Sequence, residues 1–173
     1  MDSLISEEYK ELNKQLHKKR KDYGPGKPNK WLSKVKELKS KYKVKSFLEY
    51  GCGKGKLIEH LNKTSILPAK GYDPCVKKYS ELPEPADLVL CVDVLEHVEE
   101  DKILSVLKHI ESLTNKVCFI LVELKESNKT LADGRNAHIL IKPKDWWFRT
   151  LTEIFPDCKL ETANGKVTCL YEK

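Results

Sequence analysis

Two histidines and several carboxylates stand where side chains could act on a bound molecule. Asp93, Glu96 and His97 belong to the segment D-V-L-E-H that follows an apolar run, and His138 ends the later segment D-G-R-N-A-H. A neutral imidazole can act as a base near pH 7, and carboxylates with imidazoles can hold Mg²⁺ or Mn²⁺. The structural alternative is that Glu96 and His97 merely open the next helix, where a carboxylate suits unpaired N–H groups. Earlier, Glu49 stands two residues before the first of three alternating glycines, Gly51, Gly53 and Gly55. Glycines so spaced permit positive φ and close approach of a ligand, and a helix start beyond them favours an anionic group. Asp73, in G-Y-D-P, is the remaining carboxylate placed at the end of an apolar run.

The elements that must position these residues can be read from periodicity. Phe47, Leu48 and Tyr50 form a short strand, the glycines a tight turn, and Leu57, Ile58 and Leu61 fall at helical spacing. The third glycine comes two residues after the second, so the dinucleotide fingerprint does not fit, and no Lys-Ser/Thr pair follows to make a P-loop. Residues 69–72 make a second strand ending at Asp73-Pro74. An acidic residue at that tip is placed to accept hydrogen bonds from both hydroxyls of a ribose; the alternative is an Asp that only opens a D-P turn. The interval from Asp73 to Ala86 is short and carries Pro83 and Pro85, so it has room for a turn and an extended piece only. Residues 86–92 (A-D-L-V-L-C-V) read as a strand covered on both faces, 101–113 as a helix, and 117–122 (V-C-F-I-L-V) as another buried strand. A polar stretch, 123–143, leads to a helix over 144–155 with Trp146 and Trp147. A terminal hairpin of 158–161 and 166–171 turns at Asn164-Gly165.

Ahead of the glycine turn, Ser3 or Ser6 caps a helix with an apolar stripe of Leu4, Ile5, Tyr9, Leu12 and Leu16, running into the cations of 17–21. Tyr23-Gly24-Pro25-Gly26 breaks the chain, and a second helix starts near Asn29 with Trp31, Leu32, Val35 and Leu38 inward.

At 173 residues the chain fits one domain, with residues 1–45 as basic N-terminal helices and 46–173 as the core. No apolar run approaches the ~20 residues of a membrane span, and the charged start is unlike a secretory leader, so a cytoplasmic protein with no membrane partner is expected. Six cysteines without a C-x-x-C pair read as small buried hydrophobes. The net charge of +6 is uneven: residues 1–45 hold 14 Lys/Arg against 6 Asp/Glu, and the remainder is slightly acidic. Such a segment could contact a polyanion; a solvated helix face is the plainer account.

The motif E-x-G-x-G-x-G at Glu49–Gly55, together with A-D-L-V-L-C-V-D-V-L-E-H-V, resembles the class I S-adenosylmethionine (AdoMet) dependent methyltransferases, in particular their type 11-like group. G-Y-D-P, D-G-R-N-A-H and W-W add a resemblance to small methyltransferase-like proteins of bacteria and their viruses. The resemblance covers about 47–171. It implies a Rossmann-like α/β sheet with helices on both faces and a C-terminal antiparallel hairpin; the short interval after Asp73 departs from the family pattern as a trimmed third-strand region, from which the family draws part of its adenine contacts. It also implies AdoMet as cofactor and S-adenosylhomocysteine as product. The expected cofactor contacts are Tyr23, Glu49, Gly51, Cys52, Gly53, Asp73, Pro74, Asp93 and Val94. Glu49 would meet the amino group of the methionine moiety, directly or through water, and the N–H groups of the turn its carboxylate. Tyr23 or Trp31 would line the pocket, since many methyltransferases fold N-terminal helices over the cofactor; ordinary core is the plainer account of such an aromatic.

His97 and His138 are the expected catalytic residues, acting on an oxygen or nitrogen of a small-molecule or nucleic-acid acceptor. Asp93, Glu96, His97 and His138 would converge at the methyl end. That set resembles the E-x-x-E-H plus His arrangement of small-RNA terminal ribose methyltransferases, in which a divalent metal orients substrate hydroxyls, with Asp93 in place of the first glutamate. Metal-assisted ribose methylation and a non-catalytic AdoMet-binding module that docks on nucleic acid or protein stay open as alternatives. A nucleotide-dependent oxidoreductase is disfavoured by the glycine spacing.

Overall fold

The computed structural model describes residues 3–21, 23, 24 and 28–173; Pro25 and Gly26 of the expected chain break lie outside them. Six strands form one sheet in the order β2-β1-β3-β4-β6-β5: β1 (Phe47–Tyr50), β2 (Ala69–Tyr72), β3 (Ala86–Val92), β4 (Thr114–Glu123), β5 (Lys159–Ala163) and β6 (Lys166–Glu172). The first four are parallel, and the hairpin β5–β6 joins β4 antiparallel, with Phe119 opposite Leu170 and Val122 opposite Val167. The fold is the Rossmann-like arrangement expected.

Both faces of the sheet are covered, which is why β3 and β4 read as continuous apolar runs. On one face α4 (Ile103–Ser112) and α5 (Lys144–Ile154) bury Val106, Leu107, Ile110, Trp147 and Leu151 against Val89, Cys91, Cys118 and Ile120. On the other, α2 (Pro28–Tyr42) and α3 (Lys56–Lys63) bury Trp31, Val35, Leu38, Leu57 and Leu61 against Phe47, Leu88, Val117 and Phe119. Trp31 sits 6.1 Å from Phe119, ring to ring, and belongs to this core instead of lining a pocket as expected. Helix α1 (Glu7–Lys19), capped by Ser6 Oγ accepting from Tyr9 N, packs differently. Its Tyr9 and Leu16 form a small separate cluster with Tyr23, Leu131 and Ala137, so α1 rests on the long loop after β4.

Some boundaries shift. The helix expected from Asp101 opens with a 3₁₀ turn, Glu100–Lys102, before α4 proper, and β4 extends past 117–122 in both directions. From Tyr72 to Ala86 there is no strand, only a 3₁₀ turn at Lys77–Tyr79, so β2 is the sheet edge, as Pro83 and Pro85 imply. The six cysteines are free, four of them buried. Lysines of α2 lie on its outer side, where Lys34 pairs with Glu37 and Lys41 with Glu172. Among the described residues no helix is long and apolar enough to cross a membrane.

Candidate active site

Strand β2 lies to one side of β1 and β3 to the other, so the chain changes winding direction at β1, and the crevice beyond the carboxyl ends of such strands is where ligands enter this kind of sheet. A cavity of about 140 Å³ lies there. Its floor is Gly51, Gly53, Asp73, Pro74, Asp93 and Val94; its roof is Tyr9, Asn13 and His17 of α1 with Tyr23 and Gly24. Leu4, Ile5, Val98 and Val106 make one end apolar.

The glycine turn has positive φ at all three glycines, 72°, 53° and 69°. Its N–H groups are already engaged. Gly51 N and Cys52 N donate to Tyr72 O, Gly53 N to Asp73 Oδ2 at 2.9 Å, Lys54 N to Gly24 O at 2.7 Å and Gly55 N to Cys52 O. In the ligand-free protein these groups therefore meet the chain's own acceptors, where a ligand carboxylate was expected. What the missing side chains permit is approach of the protein's own chain: a Cβ on Gly51 would lie 2.3 Å from Val94 Cγ2, and one on Gly53 2.2 Å from Gly24 O.

Asp73 lies at the tip of β2, buried, with Oδ1 accepting from Cys75 N and Oδ2 from Gly53 N, each oxygen keeping a lone pair for a further donor. Burial raises its pKa, opposed by the nearby His17 and by the two N–H donors. Glu49 does not line the cavity. It is buried beneath the turn with Oε2 unpartnered, and burial, with the charge of Asp73 added, pushes it up to about 8. Glu49 is thus neutral in the ligand-free protein near pH 7, and its direct contact with an ammonium group is not what this geometry offers. Cys52 also points away: Gly71 lacks a Cβ where Cys52 Sγ and Ile58 crowd in, and its thiol belongs to the apolar core.

At the other end stand Tyr23, Asp93, Val94 and His97. Tyr23 Oη donates to Asn13 Oδ1 at 3.0 Å, and its ring meets His17 and His97 edge-on at 4.7 and 5.7 Å. His97 Nδ1 lies 2.6 Å from Ala137 O. A carbonyl only accepts, so Nδ1 carries the hydrogen and Nε2 keeps its lone pair. Burial, followed by the neighbouring His138, depresses His97 to about 3. His138 stands outside the cavity, its ring 4.7 Å from that of His97 and its Nδ1 2.5 Å from Lys125 O, which again leaves Nε2 as the free acceptor. Glu96 is wholly buried; Oε1 accepts from Glu123 N, Oε2 has no partner, and burial raises it to about 8. Glu96, His97 and His138 bring one ligand atom each within 4.8 Å of one another. Asp93 departs from the expected set of four: at φ 55°, it faces the cavity and lies 3.9 Å from Lys166, which also pairs with Glu123.

Tyr9, Asn13 and His17 are the site residues the sequence reading missed. They recur every four residues along α1, and the signal was a buried polar residue, Asn13, inside the helix's apolar stripe.

A family model described as a methyltransferase domain matches residues 17–156. No curated protein matches. Among solved structures, the chain is similar to a DhpI–SAH complex, with a TM-score of 0.65 and 16% identity over 96% of this chain and 97% of that one. It is also similar to 1,6-didemethyltoxoflavin-N1-methyltransferase of Burkholderia thailandensis, solved with 1,6-didemethyltoxoflavin and S-adenosylhomocysteine (TM-score 0.63, 14% identity, 100% of this chain, 93% of that one). An O-methyltransferase family protein from Burkholderia thailandensis gives a TM-score of 0.57 at 12% identity over 82% of this chain, which spans only 55% of that chain's length. At these identities the likeness is one of fold, and the family match, covering most of the sequence, supplies the rest: the chain belongs to the methyltransferase-domain family and is a class I methyltransferase.

Proposed function

We propose that the protein transfers a methyl group from AdoMet to an oxygen or nitrogen of its acceptor, releasing S-adenosylhomocysteine. The observation that carries this reading is the cavity at the winding switch, with buried Asp73 at the tip of β2 beside the glycine turn. The residues fit a nucleoside: Asp73 keeps acceptor capacity for ribose hydroxyls, and the apolar end suits a base. AdoMet supplies an electrophilic methyl on a sulfonium, and the acceptor's lone pair displaces the thioether. The chain's contribution is to hold the acceptor in line under the α1 roof, and the proton freed when the methyl is transferred passes to water. His97 Nε2 serves as hydrogen-bond acceptor for the incoming group, and Ala137 O fixes its tautomer. His138, packed edge-on behind it, orients the ring. Calorimetry with AdoMet, S-adenosylhomocysteine and NAD tests the cofactor: the first two bind, NAD does not, and Asp73→Ala weakens binding about tenfold, the worth of one charge-assisted hydrogen bond. Equal binding by Asp73→Ala in a folded protein would overturn the site.

A second reading draws on the cluster of Glu96, His97 and His138. One ring nitrogen of each histidine and one Glu96 carboxylate oxygen lie within 4.8 Å of one another, a donor set that would suit Mg²⁺ or Mn²⁺, and a metal there would gather vicinal hydroxyls such as those of a terminal ribose. Methyl transfer abolished by EDTA and restored by Mn²⁺ supports it; EDTA-insensitive turnover removes the metal and keeps His97 as the hydrogen-bond acceptor alone. Contact of a polyanionic acceptor with the N-terminal lysines belongs to the same proposal, and its mark is binding that falls steeply with added salt.

A further inference from the structure

Two buried polar atoms in the roof have no hydrogen-bond partner among the described residues: Tyr9 Oη, which has the Asn13 side chain beside it, and His17 Nδ1, both on cavity-lining side chains of α1. Their neighbour Asn13 is committed elsewhere: its Nδ2 donates to Tyr9 O and its Oδ1 accepts from Tyr23. A buried polar group without a partner costs stability, and a site where two occur on one helix face is a site waiting for a ligand that supplies both. The two are eight residues apart, which sets them about 12 Å apart along the helix.

Their surroundings say which part of a ligand each would meet. His17 lies in the field of Asp73, the residue that takes ribose hydroxyls in the reading above. Tyr9 lies toward Cys75 and Glu99, beside the apolar end formed by Leu4, Ile5 and Val98. A base extending from a ribose on Asp73 has no third strand to rest on, because the chain between Tyr72 and Ala86 forms none. The cavity offers it Val98 and Val106 on one side and α1 with the residues before it on another, the latter fixed by Ser6 N donating to Glu99 Oε2 at 2.8 Å.

We infer that helix α1 replaces the missing strand region as the nucleoside-recognition element: His17 completes the hydrogen bonding of the ribose edge opposite Asp73, and Tyr9 Oη bonds the base. The family match begins at residue 17, so Tyr9 and Asn13 lie outside it. The inference rests on the AdoMet reading but fails separately from it.

The experiment is calorimetry on the full chain with two probes: S-adenosylhomocysteine, and 5′-methylthioadenosine, which keeps the nucleoside and lacks the amino acid. Tyr9→Phe and His17→Leu should each weaken both probes about tenfold, with His17→Asn, which keeps a polar atom near Nδ1, losing less. Ligand-free melting of Tyr9→Phe should stay within about 2 °C of the parent, since the hydroxyl has no partner to lose. Unchanged affinity in Tyr9→Phe and His17→Leu overturns the inference while the cofactor assignment stands. So does a loss seen with S-adenosylhomocysteine alone, which would place α1 at the amino-acid end. If His17→Leu fails to fold, Tyr9→Phe and His17→Asn decide. No binding of S-adenosylhomocysteine to the parent overturns the cofactor reading and this inference with it.

Discussion

Trp147, Leu57 and Leu88 are wholly buried between the sheet and the helices on its two faces, but Tyr9, Leu16 and Leu131 meet one another and their loop neighbours in a cluster of five buried residues. The sheet body is held by two large apolar layers. The α1 roof is held by a small cluster, by Ser6 on Glu99, and by Gly24 O on Lys54 N. Elements with few buried apolar contacts open at a lower free energy than the global unfolding, and lids over ligand sites come from that class. The difference says that the cavity's floor and its roof belong to units of different stability.

The largest effect expected is in the body: Trp147→Ala should cost about 3–5 kcal/mol of global stability in a denaturant titration. Leu131→Ala, made in the roof cluster, should cost less than half of that while speeding amide exchange along α1 on the order of tenfold. Equal shifts in the denaturation midpoint would show that roof and body unfold as one.

Gly53→Ala tests their seam. The added Cβ meets the Gly24 backbone in a residue already at φ 53°, so a loss of about 1–3 kcal/mol is expected, with faster exchange in α1 but not in α4. Unchanged exchange in α1 would mean that the seam does not hold the roof.

The third effect depends on pH. Glu49 and Glu96, each raised to about 8, bind protons more tightly folded than unfolded, so the stability they contribute is full at low pH and is lost as pH rises through 8. His97, lowered to about 3, acts in the opposite sense: its contribution grows from pH 3 until it saturates near the ordinary histidine value of about 6.5. Between about pH 6.5 and 8 only the carboxylate terms of these three still change, so ligand-free stability should decline there by on the order of 1 kcal/mol per group. Glu49→Gln should flatten the decline, and a slope unaltered by both Glu49→Gln and Glu96→Gln would contradict it.

The smallest effect concerns Arg135, which lies over the Tyr9 ring and 3.9 Å from Glu8, linking the loop to α1 across solvent. Arg135→Ala should change stability by no more than about 0.5 kcal/mol, and less still in high salt. A larger loss would mean that surface charge holds the roof more firmly than its apolar cluster does.

How much of this was legible before the structure divides along the same line. The body could be read from periodicity and punctuation: β3 from seven nearly continuous apolar residues, the trimmed edge from Pro83 and Pro85, the hairpin from Asn164-Gly165, the cap from Ser6. The positions of Asp73, Gly51 and Gly53 on the cavity floor follow from strand ends, which local pattern locates well. The roof could not be read in this way. Whether Asn13 and His17 face a ligand depends on what lies across from them, and their partners are a turn forty residues on and a loop more than a hundred residues on. Glu49 was legible as an acidic residue before a turn, but its depth below the cavity depends on how Gly24 and Tyr72 close over the turn. For Trp31 both readings stood, because an aromatic in an N-terminal helix looks the same whether it roofs a pocket or fills the second apolar face, and the plainer one, core, is what the structure shows. His97 and His138 were correctly expected to meet, and Asp93 was not recognisable as the partner of Lys166, which arrives from the last strand.

The glycine turn, its N–H groups engaged within the protein, bears on the timing of turnover. A socket whose backbone bonds are complete before anything enters has no loop to order on binding and none to release on departure. The slow coordinate then passes to the roof, and the dwell time of the spent product should follow the opening rate of α1, not the strength of contacts on the floor. Substitutions that loosen Gly24 against Lys54 would shorten that dwell and raise the maximal turnover even while they weaken affinity.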